Sequence, residues 1–249
     1  MAIYGLIPAR LQSTRLPRKL LLNETGRPLI QYVWEQTRQA KSLDDVIVAT
    51  DSEEIAAAVN KFGGRCELTG EHPSGTDRIA EVVRRCLPDG DIVVNIQGDE
   101  PDINPANIDT LVETLQREPT AEMATLSTPL KTLEQVQATS CVKVVRAADG
   151  RALYFSRSVI PHCRDRDPAE MLVAEQPWLL HVGIYAYRRD FLLNLSQLPP
   201  SRLEQLEKLE QLRALEAGAR IQVAIVEHRS VGIDTPEDYD QFVKRRRAA

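Results

Sequence analysis

The first 130 residues alternate between two spacings of hydrophobic positions. Short, nearly continuous apolar runs rich in β-branched residues occur at Ile3–Ile7, Asp45–Thr50, Asp91–Ile96 and Met123–Ser127. Such runs are typical of strands buried on both faces of a parallel sheet. Segments with helical spacing lie between them, at Leu29–Gln39, Ser52–Phe62, Thr76–Cys86 and Pro105–Gln116. This alternation, with its short connections, predicts a three-layer α/β fold with a mostly parallel, twisted sheet.

The pattern changes after about residue 130. Further strands are predicted at Val142–Arg146, Ala152–Phe155, His181–Tyr187 and Ile221–Val226, and a closing helix at Pro236–Arg246. Residues 161–176 are charged and lack apolar periodicity, which predicts a mobile loop. We therefore expect a single domain over residues 1–249, in which residues ~130–215 form a smaller, mainly antiparallel lobe.

One predicted helix, Ser201–Gly218, has an unusual leucine pattern. Leucines stand at every third position, at 203, 206, 209, 212 and 215. Each step of three turns the side chain by about −60°, so the stripe sweeps roughly 240° of the helix surface. A helix that is apolar over so much of its surface is buried on several sides. This indicates packing between the two lobes or, alternatively, a homodimer interface.

Composition narrows the class of protein. The chain has 249 residues, with 31 Lys and Arg against 36 Asp and Glu, and 43% of its residues are hydrophobic. Intrinsic disorder is thereby excluded, and a net charge of −5 argues against a nucleic-acid partner. No apolar run approaches the ~20 residues that a membrane helix requires, so we expect no membrane insertion. The four cysteines are scattered and the N-terminus does not resemble a secretion signal, which predicts a cytoplasmic location.

The segment after the first strand is strongly cationic. It contains the hydroxyls of Ser13 and Thr14 together with four cations, Arg10, Arg15, Arg18 and Lys19. Ligands of open α/β sheets bind at the carboxyl ends of the strands, where this segment must lie. Forked Arg contacts favour phosphate oxygens, so a polyanionic ligand is predicted, although a basic surface loop would have the same composition. Neither G-x-x-x-x-G-K-[ST] nor G-x-G-x-x-G is present.

Two acidic positions follow other predicted strands. Asp99 lies in Gln97-Gly98-Asp99-Glu100-Pro101, and Asp234 precedes the Thr235 cap of the closing helix. Each carboxylate could pair with an Arg, and Asp234 could simply stabilise a helix N-terminus. Mg²⁺ is commonly held by one or two carboxylates plus phosphate oxygens, so a shared Mg²⁺ beside the cationic segment is the sharper hypothesis.

At this point the residues resemble a known family, the CMP-Kdo synthetases (3-deoxy-manno-octulosonate cytidylyltransferases). Ile7-Pro8-Ala9-Arg10, Ser13-Thr14-Arg15-Leu16-Pro17 and Lys19 carry the resemblance in the first segment. It continues through His72-Pro73-Ser74-Gly75-Thr76-Asp77-Arg78, Asn95-Ile96-Gln97-Gly98-Asp99-Glu100-Pro101, Ala152-Leu153-Tyr154-Phe155-Ser156-Arg157, His181-Val182-Gly183-Ile184-Tyr185, Leu209-Glu210-Gln211-Leu212-Arg213 and Asp234-Thr235-Pro236-Glu237-Asp238. These blocks span nearly the whole chain in the family's order. Arg18 departs from the pattern, because many members have Gly there.

The resemblance implies a reaction, CTP + Kdo → CMP-Kdo + diphosphate, on the route to lipopolysaccharide. It implies catalytic roles for Arg10, Lys19, Asp99 and Asp234, with the two aspartates as Mg²⁺ ligands. The implied nucleotide-binding residues are Ala9, Arg10, Ser13, Arg15, Lys19, Ser74, Gly75 and Gln97. The implied sugar-binding residues are Gln97, Arg157, His181, Tyr185, Glu210 and Gln211. A direct role for Asp77 and Arg78 remains open beside a plain helix-start role.

Three alternatives remain at this stage. The first is a cytidylyltransferase for another acidic sugar, such as 8-amino-Kdo, sialic acid or pseudaminic acid. The second is a nucleotide-sugar glycosyltransferase, but its usual D-x-D motif does not follow any central strand here. The third is a non-catalytic nucleotide sensor, which would have little use for two distant metal-binding aspartates. For the enzyme we expect CTP and Kdo as partners, Mg²⁺ as cofactor, and a homodimer.

Overall fold

The computed structural model describes residues 1–248. The strands are β1 (Ala2–Ala9), β2 (Asp45–Thr50), β3 (Arg65–Leu68), β4 (Gly90–Asn95), β5 (Met123–Pro129), β6 (Lys143–Arg146), β7 (Ala152–Ser156), β8 (Leu179–Arg188) and β9 (Ile221–Ile225). The helices are α1 (Leu29–Thr37), α2 (Glu53–Lys61), α3 (Gly75–Cys86), α4 (Pro105–Arg117), α5 (Leu133–Gln137), α6 (Pro168–Ala174), α7 (Arg189–Leu195), α8 (Arg202–Glu207), α9 (Gln211–Glu216) and α10 (Pro236–Ala248). A short 3₁₀ turn, Lys19–Leu21, follows β1.

The described chain divides into two compact units. The first unit comprises Met1–Asp109, Arg188–Ser196 and the residues from Ser230 onward. The second unit comprises Thr110–Tyr187 and Gln197–Arg229. The second unit therefore begins earlier and ends later than the lobe expected at residues ~130–215.

The first unit contains a parallel sheet. Its strands lie in the order β3-β2-β1-β4, and each neighbouring pair is parallel. The side chains of Leu6, Ile47 and Val94 are completely buried, as the continuous apolar runs predict. Ala9 at the end of β1 pairs with Thr50, and Leu6 pairs with Asn95 at the end of β4. The carboxyl ends of β1, β2 and β4 therefore meet at one edge of this sheet.

The second unit is mainly antiparallel. β5 pairs antiparallel with β8 and parallel with β9, while β6 pairs antiparallel with β7 and β8. β5 therefore belongs to this unit, although the sequence pattern groups it with the parallel strands before residue 130. The predicted α/β class, with a mostly parallel sheet and a mainly antiparallel part, is confirmed.

The prediction of a loop over residues 161–176 is wrong for its middle part. α6 (Pro168–Ala174) forms there, because the Asp167 side chain accepts a hydrogen bond from the Ala169 amide at 2.8 Å and a proline opens the helix. Leu172 of this helix packs in a small apolar cluster with Trp178. The charges around these few apolar residues hide the helical pattern. β3, α5 and α7 are also absent from the predicted elements, because each is too short to show a period.

The predicted helix Ser201–Gly218 is also wrong, because it is two helices. α8 and α9 are separated at Lys208, whose φ of 54° lies in the left-handed region and interrupts the helix. Leu206 is 70% exposed, whereas Leu212 is completely buried, so the leucines do not form one buried stripe. A capping box at Ser201 starts α8, and Glu204 binds Arg213 across the break through two hydrogen bonds of 2.6 and 2.8 Å. Burial raises the pKa of Glu204, but the hydrogen bonds from Arg213 and the Ser201 amide outweigh this and lower it overall.

Among residues 1–248, none of the helices is both long enough and apolar enough to cross a membrane.

Candidate active site

A pocket of about 240 Å³ lies in the first unit, at the edge where β1 and β4 end. Three segments line it: the cationic segment after β1, the start of α3, and the turn after β4. Its lining residues are Pro8, Ala9, Arg10, Ser13, Lys19, Leu20, His72, Pro73, Ser74, Gly75, Arg78, Gln97, Gly98 and Asp99. Seven of the eight predicted nucleotide-binding residues are among them. The eighth, Arg15, lies beside the pocket and contacts Asp234.

Two glycines allow these segments to approach one another. A Cβ on Gly98 would lie 3.2 Å from the carbonyl oxygen of Pro8, and a Cβ on Gly75 would lie 3.1 Å from the Pro8 ring. Any larger residue at Gly98 would press on backbone, which cannot yield as a flexible side chain can. The turn after β4 and the start of α3 therefore both pack against the end of β1.

The start of α3 supplies the second wall. Ser74 caps the helix by accepting a hydrogen bond from the Asp77 amide at 3.1 Å, and its hydroxyl donates to the Asp77 carboxylate at 2.8 Å. Four residues on, Arg78 lines the pocket but is only 4% exposed. Its guanidinium donates to Asp51 and to Thr69, each at 2.6 Å. Arg78 therefore ties the start of α3 to the segments that follow β2 and β3.

The two predicted metal ligands lie together although they are 135 positions apart in the sequence. The Lys19 ammonium is 2.5 Å from Asp99 Oδ2 and 3.1 Å from Asp234 Oδ1, and it also donates to the Ile233 carbonyl at 3.0 Å. The second carboxylate oxygen of Asp234 is 2.9 Å from the Arg15 guanidinium. The Ile233 amide donates to the Asp99 carbonyl at 2.9 Å, which joins the two backbone segments. One ammonium therefore bridges both carboxylates.

The start of α10 orients Asp234. Asp238 accepts hydrogen bonds from the amides of Asp234 and Thr235 at 3.1 and 2.9 Å, and the Thr235 hydroxyl accepts one from the Asp238 amide. The predicted Thr235 cap is thus confirmed. The hydrogen bonds from the Asp234 and Thr235 amides lower the pKa of Asp238, so its carboxylate stays ionised as the anchor of this turn.

The remaining cations of the segment differ in their surroundings. Arg10 is exposed at the pocket, and its guanidinium has no ion pair among residues 1–248. Arg18 is 2.8 Å from Glu54 and does not line the pocket. Its φ of 57° lies in the left-handed region, which glycine adopts without strain and arginine does not.

His72 lies in the pocket wall, although its residue type and spacing predict no role for it. Its Nε2 is 2.6 Å from Glu81 Oε2, and the same carboxylate oxygen accepts a hydrogen bond from the Gly70 amide at 3.0 Å. The hydrogen bond with His72 is the main cause that lowers the pKa of Glu81. A sequence signal for a role of His72 is its position two residues before the Ser74 cap, inside the block that carries the resemblance.

The second unit brings together several of the predicted sugar-binding residues. Tyr185 donates from its hydroxyl to Gln211 Oε1 at 3.1 Å, and its ring centroid is 5.5 Å from that of His181. His181 Nε2 lies 2.9 Å from the Thr125 hydroxyl, and burial lowers the pKa of His181 to about 3. Burial also raises the pKa of Tyr185, so both side chains are neutral. The Gln211 amide nitrogen is buried and has no hydrogen-bond partner within residues 1–248.

Arg157 is held in place by backbone and side-chain contacts of the second unit. Its guanidinium donates to the carbonyls of Glu207 and Thr139 at 2.6 and 3.0 Å, and its amide donates to the Glu207 carboxylate. Lys143, which is completely buried, donates to the Arg157 carbonyl at 2.7 Å and to the Ala138 carbonyl at 3.0 Å. Burial lowers the pKa of Lys143. Glu210 lies beside this region, immediately before α9.

Comparison with known proteins places this geometry in a family. The cytidylyltransferase family model matches residues 4–221. A 3-deoxy-manno-octulosonate cytidylyltransferase of Geotalea uraniireducens is 48% identical over 250 residues, covering 98% of this chain and 99% of that protein. The enzyme of the same name from Syntrophobacter fumaroxidans is 51% identical over 246 residues, covering 98% and 96%.

Solved structures agree with these relatives. The structure of a CMP:2-keto-3-deoxy-manno-octonic acid synthetase complexed with CTP superimposes with a TM-score of 0.92 at 42% identity, covering 100% of this chain and 99% of that one. A cytidylyltransferase from Leptospira borgpetersenii, with a TM-score of 0.62 and 18% identity, shares the fold. The chain belongs to the cytidylyltransferase family and, within it, to the group of the 3-deoxy-manno-octulosonate cytidylyltransferases.

Proposed function

We propose that the protein transfers the cytidylyl group of CTP to Kdo, giving CMP-Kdo and diphosphate for lipopolysaccharide synthesis. The observation that carries this proposal is the pocket lined by a cationic segment, a capped helix start and Asp99, with Asp234 joined to it through Lys19. The near full-length similarity to relatives of that name supports the choice of nucleotide and sugar.

The residues of the pocket match the chemistry of this transfer. A hydroxyl oxygen of the sugar acid attacks the α-phosphorus, and the bond to the diphosphate breaks. Negative charge grows on the α-phosphate and the leaving diphosphate, so cations fixed in advance stabilise the transition state more than the substrate. Arg10 approaches the α-phosphate, and Arg15, Lys19 and Ser13 hold the triphosphate. Ala9, Ser74, Gly75 and Gln97 surround the base.

Mg²⁺ is the proposed cofactor, held by Asp99 and Asp234. The fit rests on the contacts of Lys19, because its ammonium, a cation, lies within hydrogen-bond distance of both carboxylates and of a backbone carbonyl. Such hard oxygen donors suit Mg²⁺, which keeps waters and phosphate oxygens as its other ligands. When bound, Mg²⁺ neutralises phosphate charge and lowers the pKa of a coordinated hydroxyl. A bound triphosphate also needs further positive charge, since Lys19 and Arg15 are already paired with carboxylates.

For the sugar we propose Gln97, Arg157, His181, Tyr185, Glu210 and Gln211. The buried, unpaired amide nitrogen of Gln211 supports this, because its N–H group can donate a hydrogen bond to a sugar oxygen. Arg157 donates three of its five N–H groups to the carbonyls of Glu207, Thr139 and Lys208, which leaves two for a carboxylate.

The test is diphosphate release from CTP and Mg²⁺ with a panel of acidic sugars. We expect release only with Kdo, and a loss of about 10²-fold or more in Asp99→Ala and in Asp234→Ala. Asp190→Ala is the matched control, since Asp190 is a highly exposed aspartate of the same unit outside the pocket. Release with sialic, pseudaminic or 8-amino-Kdo substrates alone would keep the chemistry and change the sugar. Tight CTP binding without release would refute the proposed reaction.

We also propose a homodimer that acts in the cytoplasm. The resemblance to the family supports the dimer, and four cysteines without disulfides suit a reducing compartment. Sedimentation at micromolar concentration should give twice the chain mass, and a monomeric mass would remove the dimer.

A further inference from the structure

Lys19 lies between the two carboxylates that are the proposed metal ligands. Its ammonium is surrounded by three oxygens from two distant segments: Asp99 Oδ2, Asp234 Oδ1 and the Ile233 carbonyl. The lysine side chain is only 13% exposed, so these contacts are poorly screened by water. Within the protein alone, Lys19 therefore occupies the position between the carboxylates that a metal ion would take.

The backbone and the side chain of Lys19 differ in how firmly they are held. Its backbone opens the 3₁₀ turn Lys19–Leu21, which is fixed by the burial of Leu20 against the fold. A lysine carries its charge on a flexible four-carbon stem with three donors, unlike the planar guanidinium of an arginine. The ammonium can therefore change partners without any movement of the chain.

A bound triphosphate would change the balance of charge around Lys19. Lys19 lines the pocket together with Arg10, where the proposed function puts a triphosphate. If the ammonium turns to phosphate oxygens, Asp99 loses this cation and Asp234 keeps only its contact with Arg15. A divalent cation then restores the balance, whereas before that step the same cation must displace a tethered ammonium.

We propose that Lys19 is an internal counter-ion that holds Asp99 and Asp234 together and blocks metal entry until a triphosphate draws it away. This inference rests on the proposed function for the identity of the anion. Metal ion and nucleotide then bind cooperatively, because each removes the obstacle to the other. Linkage requires the effect to be mutual, so bound metal also favours the lysine on the nucleotide.

The experiment measures Mn²⁺ binding to the nucleotide-free protein by electron paramagnetic resonance of the free ion, with no sugar present. Lys19→Met removes the ammonium and keeps most of the apolar stem. We expect this variant to bind Mn²⁺ about tenfold more tightly than the unmodified protein, since a coupling of this kind is typically 5–150-fold. Arg18→Met is the matched control, because Arg18 lies in the same segment but pairs with Glu54.

A second titration with preformed Mn²⁺·CTP gives the opposite sign. There Lys19→Met should bind more weakly than the unmodified protein, because the phosphate contact is lost. A lysine with only a structural role would move both affinities in the same direction. Lys19→Gln repeats both titrations with a polar side chain in case the methionine variant does not fold, and Lys19→Met combined with Asp99→Asn should abolish the gain for Mn²⁺ alone.

The outcomes are distinct. Tighter binding of Mn²⁺ alone with weaker binding of Mn²⁺·CTP supports the inference. Unchanged or weaker binding of Mn²⁺ alone in both Lys19 variants overturns it, even if diphosphate release with Kdo is intact. Conversely, a reversal of sign in a protein that releases no diphosphate with any sugar would refute the proposed reaction and leave the role of Lys19 standing.

Discussion

The two charged regions of the molecule hold their ionic groups in opposite ways. In the pocket of the first unit, Lys19 and Arg15 bind carboxylates of other side chains, and Arg10 is exposed. Around Arg157 in the second unit, the cations of Lys143 and Arg157 bind backbone carbonyls instead. A cation held mainly by carboxylates can exchange them for another anion, whereas a cation held by backbone carbonyls joins segments of the chain. The difference predicts that the loss of Lys19 alters mainly binding and that the loss of Lys143 alters mainly stability.

The largest expected effect compares two lysines. Lys143→Met leaves the carbonyls of Ala138 and Arg157 without their donor, and an unpaired buried acceptor costs about 1–3 kcal/mol. Removal of a buried charge offsets part of this, so we expect a loss of about 2 kcal/mol in the free energy of unfolding. Lys19→Met should cost less, about 1 kcal/mol, because the carboxylates that it leaves are in part exposed and water can reach them.

Urea denaturation followed by circular dichroism gives both values. Lys131→Met, at an exposed lysine of the second unit, is the control and should be neutral. Equal losses for Lys143→Met and Lys19→Met would contradict the contrast between the two regions.

The pH dependence of stability is the next test, and it concerns His181. Burial lowers the pKa of this residue to about 3, below the value of 6.5 in the unfolded chain. The unfolded state therefore binds more protons between these two values, so stability falls as the pH drops below 6.5. The slope from one such group is at most about 1.4 kcal/mol per pH unit.

His181→Gln should remove that contribution, while His228→Gln, at an exposed histidine, should leave the slope unchanged. Thermal melting between pH 8 and pH 5 provides the measurement. A His181→Gln variant with the same slope as the unmodified protein would show that the imidazole is protonated in the folded state.

The smallest effect isolates a backbone angle. Arg18→Gly and Arg18→Ala both lose the contact with Glu54, but only glycine adopts the left-handed conformation without strain. We expect the glycine variant to be more stable than the alanine variant by about 1 kcal/mol. Both should release diphosphate at the rate of the unmodified protein, since Arg18 does not line the pocket. An alanine variant as stable as the glycine variant would remove the explanation in terms of φ.

Much of the fold and the layout of the pocket follow from the sequence. Buried runs such as Asp45–Thr50 are nearly continuous in apolar residues, and that strand has the predicted bounds. The proximity of Asp99 and the cationic segment follows from one rule, that parallel strands end at the same edge of a sheet. The break at Lys208 has no such signal, because a lysine in the left-handed region resembles any other helical lysine.

The partners of charged side chains are the part that sequence reasoning misses. The sequence predicts Arg157 as a cation for a sugar carboxylate, yet the carbonyls of Thr139 and Glu207 bind it. Backbone carbonyls occur at every position, so nothing in the residue types marks these two as acceptors. The sequence predicts Lys19 as a phosphate ligand, while its contacts with two carboxylates depend on the fold.

The buried amide nitrogen of Gln211 has a consequence for the choice of ligand. This nitrogen has left water without gaining an acceptor, while the oxygen of the same side chain is already bound by Tyr185. A ligand oxygen at that place would accept a hydrogen bond from this nitrogen and offset its desolvation. A deoxy analogue would leave the nitrogen without an acceptor. Sites of this kind reject the missing hydroxyl far more strongly than they reject a missing methylene. Selectivity here would then come from a buried donor that only the right ligand pairs, rather than from a steric clash with the wrong molecule.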